Sequence, residues 1–130
     1  MVKVILDSNF LLVPFQFRLD IFEELNNLLG KAEPIILSTT MEELKKMAEK
    51  KTAKRRMQFS AALKLAERCK ILEVKKQASE SYDDAILRIA SKLKIPVATN
   101  DAELRKRLRK AGLATIYLRQ KARLTVEGNI

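Results

Sequence analysis

Four acidic residues, Asp7, Glu43, Asp83 and Asp101, fall at or near strand-to-helix or helix-start junctions of the chain, and few other side chains offer chemistry. There is no histidine, Ser8 has no basic partner recognisable in sequence, and Cys69, the only cysteine, lies in a helical stretch with no base beside it. His-assisted nucleophilic catalysis is therefore excluded. Carboxylates remain, and the ends that carry them can converge at one edge of a parallel sheet. Helix N-termini tolerate anions, by about 0.3 to 1 kcal/mol each. Four carboxylates in one cleft would nonetheless repel, and a hard divalent cation is the usual remedy: Mg²⁺ takes carboxylate and water oxygens at about 2.1 Å. Water activated on such an ion can attack a phosphodiester.

The elements that must position these acids are clearest between Ser81 and Asp101. Asp83 shares a helical face with Ile86, Leu87 and Ala90, which places a carboxylate at the head of a buried stripe. After Pro96, Val97-Ala98-Thr99 reads as a short parallel strand, and Asn100 is expected to cap a helix in which Asp101 is the first residue. In an open α/β sheet that junction is where ligands bind. Ser81 as N-cap with Asp84 three residues on fits a capping box.

Upstream, Val2 to Leu6 is a near-continuous apolar run ending at Asp7-Ser8-Asn9, as in a central parallel strand. Phe10 to Arg18, broken by Pro14, reads as an apolar loop packed against the body. Phe15 and Phe17 could stack on bases, but simple packing is the commoner fate. A helix follows from Asp20 to a stop at Gly30, then a strand over Pro34 to Leu37. Ser38-Thr39-Thr40 opens the next helix, running through Met47, with Thr39–Glu42 and Thr40–Glu43 both at capping-box spacing. A longer helix spans about Thr52 to Cys69, Ile71 to Val74 is a weak strand, a helix runs to Ala111 before Gly112, and Thr115 to Leu118 is the last strand. Strand and helix alternate, so the fold expected is a single-domain α/β, three-layer α/β/α sandwich on a mostly parallel sheet, over residues 1–118, followed by a basic C-terminal tail at 119–130. Three glycines, Gly30, Gly112 and Gly128, cannot build a phosphate loop, which removes dinucleotide and P-loop readings. A phosphoacceptor receiver would want its acid pair after the first strand, not at Asp83-Asp84.

Twenty-six Lys plus Arg against sixteen Asp plus Glu leave a net charge of +10, which favours a polyanionic partner, nucleic acid before anionic membrane. The surplus is clustered in Lys45, Lys46, Lys50, Lys51, Lys54, Arg55 and Arg56, in Arg105 to Lys110, and in Arg119, Lys121 and Arg123. Solvated helix faces would explain any one run; runs of one sign without an acidic counterpart favour a phosphate track, with Lys45, Lys46, Lys54, Arg55, Arg56, Arg105 and Arg107 the residues expected to bind a nucleic-acid backbone. No apolar run long enough for a membrane span and no leader-like start are present, so a cytoplasmic protein is expected. Cys69 is expected to pack as a small hydrophobe.

DSN after the first strand, TTMEEL opening the helix after the second, YDDAILRIA, and VATND before a Leu-Arg-rich helix together resemble a PIN domain, the Mg²⁺/Mn²⁺-dependent ribonuclease fold. The resemblance covers nearly the whole chain, and the eighteen-residue step from Asp83 to Asp101 strengthens it. The chain looks most like archaeal relatives of PIN proteins of small-subunit ribosomal RNA processing and, less closely, like the toxins of toxin/antitoxin pairs. The resemblance implies that Asp7, Glu43, Asp83 and Asp101 are the catalytic, metal-binding acids, with Ser8, Asn100 and Asp84 in support; Glu43 is preferred to Glu42 because the family's Glu-Leu pair matches Glu43-Leu44. It implies an endoribonuclease using Mg²⁺ or Mn²⁺ on structured or ribosomal precursor RNA. The alternatives are a catalytically weak RNA-binding assembly factor of the same fold and a toxin neutralised by an antitoxin. A homodimer through Phe10 to Phe17 is a further expectation.

Overall fold

The structure, a computed structural model, describes residues 1–50 and 52–130, for Lys50 the backbone only. Lys51 and the Lys50 side chain, both in the first basic run, thus lie outside the described residues. The chain forms a six-stranded sheet in the order β3-β2-β1-β4-β5-β6. These strands are β1 Val2–Leu6, β2 Ala32–Leu37, β3 Lys70–Leu72, β4 Val97–Ala98, β5 Thr115–Arg119 and β6 Arg123–Glu127. All neighbours are parallel except β5 and β6, which pair antiparallel with Thr115 opposite Glu127.

The period-two alternation of side chains along a strand explains the layers. Val4 and Leu6 of β1, Ile36 of β2 and Ala98 of β4 point to one core, while Ile5, Ile35, Leu37 and Val97 point to another. Helices α2 (Ile21–Leu29), α3 (Ser38–Lys50) and α4 (Ala53–Ala66) cover the first face, contributing Leu25, Leu44 and Phe59. Helices α5 (Tyr82–Leu93) and α6 (Ala102–Lys110) cover the second with Ile86, Ile89, Leu104 and Leu108. With both faces covered, the strands can be apolar over their buried length, as β1 is from Val4 to Leu6.

Four local expectations need correction. Phe10 to Arg18 is not a loop: Ser8–Leu12 form a 3₁₀ turn and Val13–Phe17 a short helix, α1. Pro14 lies in the first turn of α1, where its missing N–H costs no helical bond. Phe10, Leu11, Leu12 and Val13 are core residues, so of the proposed dimer segment mainly Phe15, 39% exposed, offers apolar surface. Second, β2 passes directly into α3 at Ser38, so Thr39 and Thr40 are already inside its first turn and cap nothing. Third, Asp101, not Asn100, is the N-cap of α6. Fourth, residues after Leu118 are not a tail apart from the domain, because β5 runs on to Arg119 and β6 returns along it with Leu124 buried. Cys69 is buried, and burial pushes its thiol up to about 11, which leaves it inert. Among the described residues no helix is long and apolar enough to cross a membrane.

Candidate active site

β1 leads sideways to β2 in one direction, and β4 lies against its other edge, so the chain's strand order reverses between β1 and β4. The carboxyl ends of strands at such a point form a crevice. Asp7 follows β1 and is 2% exposed. It accepts hydrogen bonds from the Ser8 N–H (2.8 Å), the Asn9 side-chain amide (3.2 Å) and the Thr99 hydroxyl (2.7 Å). Burial lifts its pKa to about 7; the Thr99 and Ser8 bonds oppose that rise, and the charges of Asp83 and Glu43 add to it.

The other acids reach this point from three helix starts. Glu43 lies in the second turn of α3, where burial raises its pKa, the Ser8 hydroxyl opposes the rise and Asp83 adds to it; its Oε1 is buried without a hydrogen-bond partner. Asp83, in the first turn of α5, is half-buried and raised by desolvation first, then by Asp101 and Asp84, with Arg107 pulling it down. Asp83 is therefore the acid that electrically joins the rest: its charge acts on Asp7 and Glu43, and Asp101 acts on it. Asp101 caps α6, its Oδ1 taking the N–H groups of Glu103 (2.9 Å) and Leu104 (3.1 Å).

The structure thus links Asp7, Glu43 and Asp83 to one another and Asp101 to Asp83, and it is Glu43 rather than Glu42 that faces them. Glu42 is exposed and pairs with Lys46 at 3.4 Å, while Glu43 faces the acids and Leu44 is fully buried. Among the described residues, however, no three acids are disposed around a single point as an ion would require of a protein-only cage. Asp84 stands apart: it closes the capping box with Ser81 and accepts from Arg107 at 2.7 Å, and both partners hold its carboxyl low.

Two residues with structural weight here had not been singled out. Thr99 donates to Asp7 and accepts the Asp101 N–H at 3.1 Å. Asn9 also accepts the Asn100 N–H at 3.1 Å, and the Asn100 side chain in turn accepts the Leu118 N–H at 2.8 Å, which stitches the ends of β1, β4 and β5 together. The only sequence signal was position, polar residues directly after an apolar strand in DSN and VATND.

The basic residues divide. Lys45, Lys54, Arg55 and Arg56 are exposed on α3 and at the start of α4. Arg107, expected on a phosphate track, is exposed and pairs with Asp84 at 2.7 Å between α5 and α6. Arg105 lies with its guanidinium 4.0 Å from the centre of the Tyr117 ring and is partly buried.

Comparison with known proteins places this geometry. The family model described as PIN like domain matches residues 4–121. The chain is 30% identical over 132 residues to ribonuclease VapC4 of Methanocaldococcus jannaschii, covering all of both chains. It is 33% identical over 111 residues to the rRNA-processing protein FCF1 of Saccharomyces cerevisiae, matching 83% of this chain but 54% of the yeast protein, so it spans about half that relative's length. Among solved structures, the PIN domain endonuclease Utp24 superposes with a TM-score of 0.82 at 30% identity, over 98% of this chain and 92% of that one. A family model over most of the chain, a full-length relative and a matching solved fold agree, and the chain belongs to the PIN-like domain family of ribonuclease relatives.

Proposed function

We propose that this chain is a metal-dependent endoribonuclease that cleaves structured RNA, with ribosomal precursor RNA the leading substrate class. The observation that carries the proposal is the convergence of Asp7, Glu43, Asp83 and Asp101 at the sheet's reversal point, where three of them lift their pKa values through burial and through one another. Such a cluster is costly by itself and gains from a bound cation. The buried, partnerless Glu43 Oε1 is an acceptor suited to the same ion. Oxygen ligands without histidine or thiolate fit Mg²⁺ or Mn²⁺. When bound, the ion supplies a more acidic water and positive charge against the developing phosphorane.

The remaining chemistry belongs to the chain. Thr99 and the Ser8 N–H fix both Asp7 oxygens, so this acid is held in one orientation. Asp83, less buried, is available to take a proton from the attacking water. Asp101 stays anchored by its helix cap at the rim. The +10 surplus and the exposed cations of α3 and α4 supply a surface for the RNA backbone.

The substrate class rests on the likeness to Utp24 and FCF1; the full-length likeness to VapC4 supports instead a toxin held by an antitoxin. A third reading, an RNA-assembly factor that binds its ion weakly, is favoured by the open arrangement of the acids. A panel of structured RNAs incubated with Mn²⁺ and either wild type or Asp7→Asn tests the proposal. Cleavage by the wild type alone is expected; equal cleavage by both, or by neither, would refute it.

A further inference from the structure

Outside the acid cluster, two cations from separate elements meet on one aromatic ring. The Lys46 ammonium lies 5.5 Å and that of Lys76 4.7 Å from the centre of the Tyr82 ring. Tyr82 directly precedes Asp83 and its hydroxyl is buried without a hydrogen-bond partner, while Lys46 lies one helical turn beyond Glu43 on α3.

The segment carrying Lys76 is held rather than loose. Ser38 Oγ accepts the Val74 N–H (2.8 Å) and donates to the Val74 carbonyl (3.1 Å). Arg88 donates to the Lys75 carbonyl (3.0 Å) and forks onto Glu80 (2.7 and 3.0 Å), and Glu80 also accepts the Gln77 N–H (3.0 Å). Lys76 itself is exposed and has no carboxylate within ion-pair reach among the described residues. Lys46 also holds the exposed Glu42 carboxylate at 3.4 Å, a solvent-screened surface pair that a phosphate can displace. Two ammonium groups drawn to one ring repel each other, and an anion between them relieves that repulsion.

We infer that Lys46 and Lys76, gathered on Tyr82 beside the acids, form a phosphate subsite that grips the RNA strand at a phosphate neighbouring the one presented for cleavage; this rests on the nuclease reading above. The two lysines are positioning residues, because they touch a phosphate that does not react.

The test is binding of a fluorescent single-stranded RNA in chelator across a salt series, for wild type, Lys46→Gln/Lys76→Gln, and Lys92→Gln, whose exposed side chain lies near the far end of α5. The double variant should bind about tenfold more weakly at low salt and lose about 0.7 from the log-log salt slope, the value of one phosphate contact. Lys92→Gln should match wild type. With Mn²⁺, KM for cleavage should rise in the double variant while kcat changes little. Wild-type slope and affinity in the double variant, or an equal loss in Lys92→Gln, would overturn the subsite while leaving the nuclease reading intact. Wild type that binds no RNA would overturn both.

Discussion

The Thr99 hydroxyl donates to Asp7 at 2.7 Å and accepts the Asp101 N–H at 3.1 Å, so one side chain orients two of the acids. Thr99→Val keeps the shape and removes both bonds. It leaves a buried carboxylate short of a donor and a backbone N–H without its acceptor, at a cost of about 1–3 kcal/mol. Denaturant unfolding in chelator should show a larger loss at pH 8, where Asp7 is ionised, than at pH 5. Thr99→Ser should restore most of it.

Asp7 also sets the pH dependence of the metal-free protein. Its folded pKa of about 7 lies above the ordinary 3.8, so the folded state binds the proton more tightly than the unfolded chain. Its contribution is therefore most favourable below pH 4 and is lost as pH rises from there through 7. Asp7→Asn should flatten that decline. The gain at pH 8 should be about 1–2 kcal/mol, less than the full shift implies, because the new amide cannot accept from Thr99 and Ser8 as both carboxylate oxygens do. Unfolding curves at several pH values in chelator provide the check.

What was legible in the sequence depended on range. The β1 and β2 strands could be read because burial on both faces leaves them apolar, and the Ser81–Asp84 capping box because its partners are three residues apart. The bond from Thr99 to Asp7 spans 92 positions and leaves no local pattern. Thr39 and Thr40 misled because their spacing from Glu42 and Glu43 matches a cap, yet the strand runs straight into the helix. β6 was hidden by its charge: Leu124 and Val126 alternate with polar residues, and only pairing with β5 makes that alternation meaningful. Among the acids, order and spacing were visible, whereas the central place of Asp83 required the fold.

The segment after Asp7 supports the site from beneath. Phe10 is fully buried against the first core, within the 3₁₀ turn that Asp7 caps. Phe10→Ala should cost about 3–5 kcal/mol, whereas Phe15→Ser, on the exposed side of α1, should change stability little. Thermal unfolding of the two variants distinguishes a core role from an interface role. A large loss from Phe15→Ser that depends on protein concentration would instead indicate a dimer contact.

Ion binding should appear as stabilisation. At a hundredfold excess of Mn²⁺ over its Kd, linkage gives about 2.7 kcal/mol. The increment should vanish in Asp83→Asn and shrink in Asp101→Asn, which keeps its place at the rim and loses its charge. Melting curves with and without Mn²⁺ measure this directly. An undiminished increment in both variants would locate the ion elsewhere.

The sharpest contrast is between adjacent aspartates. Neighbours on a helix are turned about 100° apart, and here that turn sends Asp83 toward Asp7 and Glu43 and Asp84 toward Ser81 and Arg107. Outer partners of metal sites typically cost about 10- to 100-fold when removed, so Asp83→Asn, at the centre, should lower cleavage by more than about a hundredfold. It should leave the metal-free protein as stable as wild type or slightly more so, since a half-buried charge among like charges is gone. Asp84→Asn should keep most of the activity and lower the melting temperature, because it weakens both the capping box and the link from α5 to α6. Paired measurements of cleavage and melting on the two variants decide the matter: an inactive Asp84→Asn beside an active Asp83→Asn would mean that the doublet's roles are reversed.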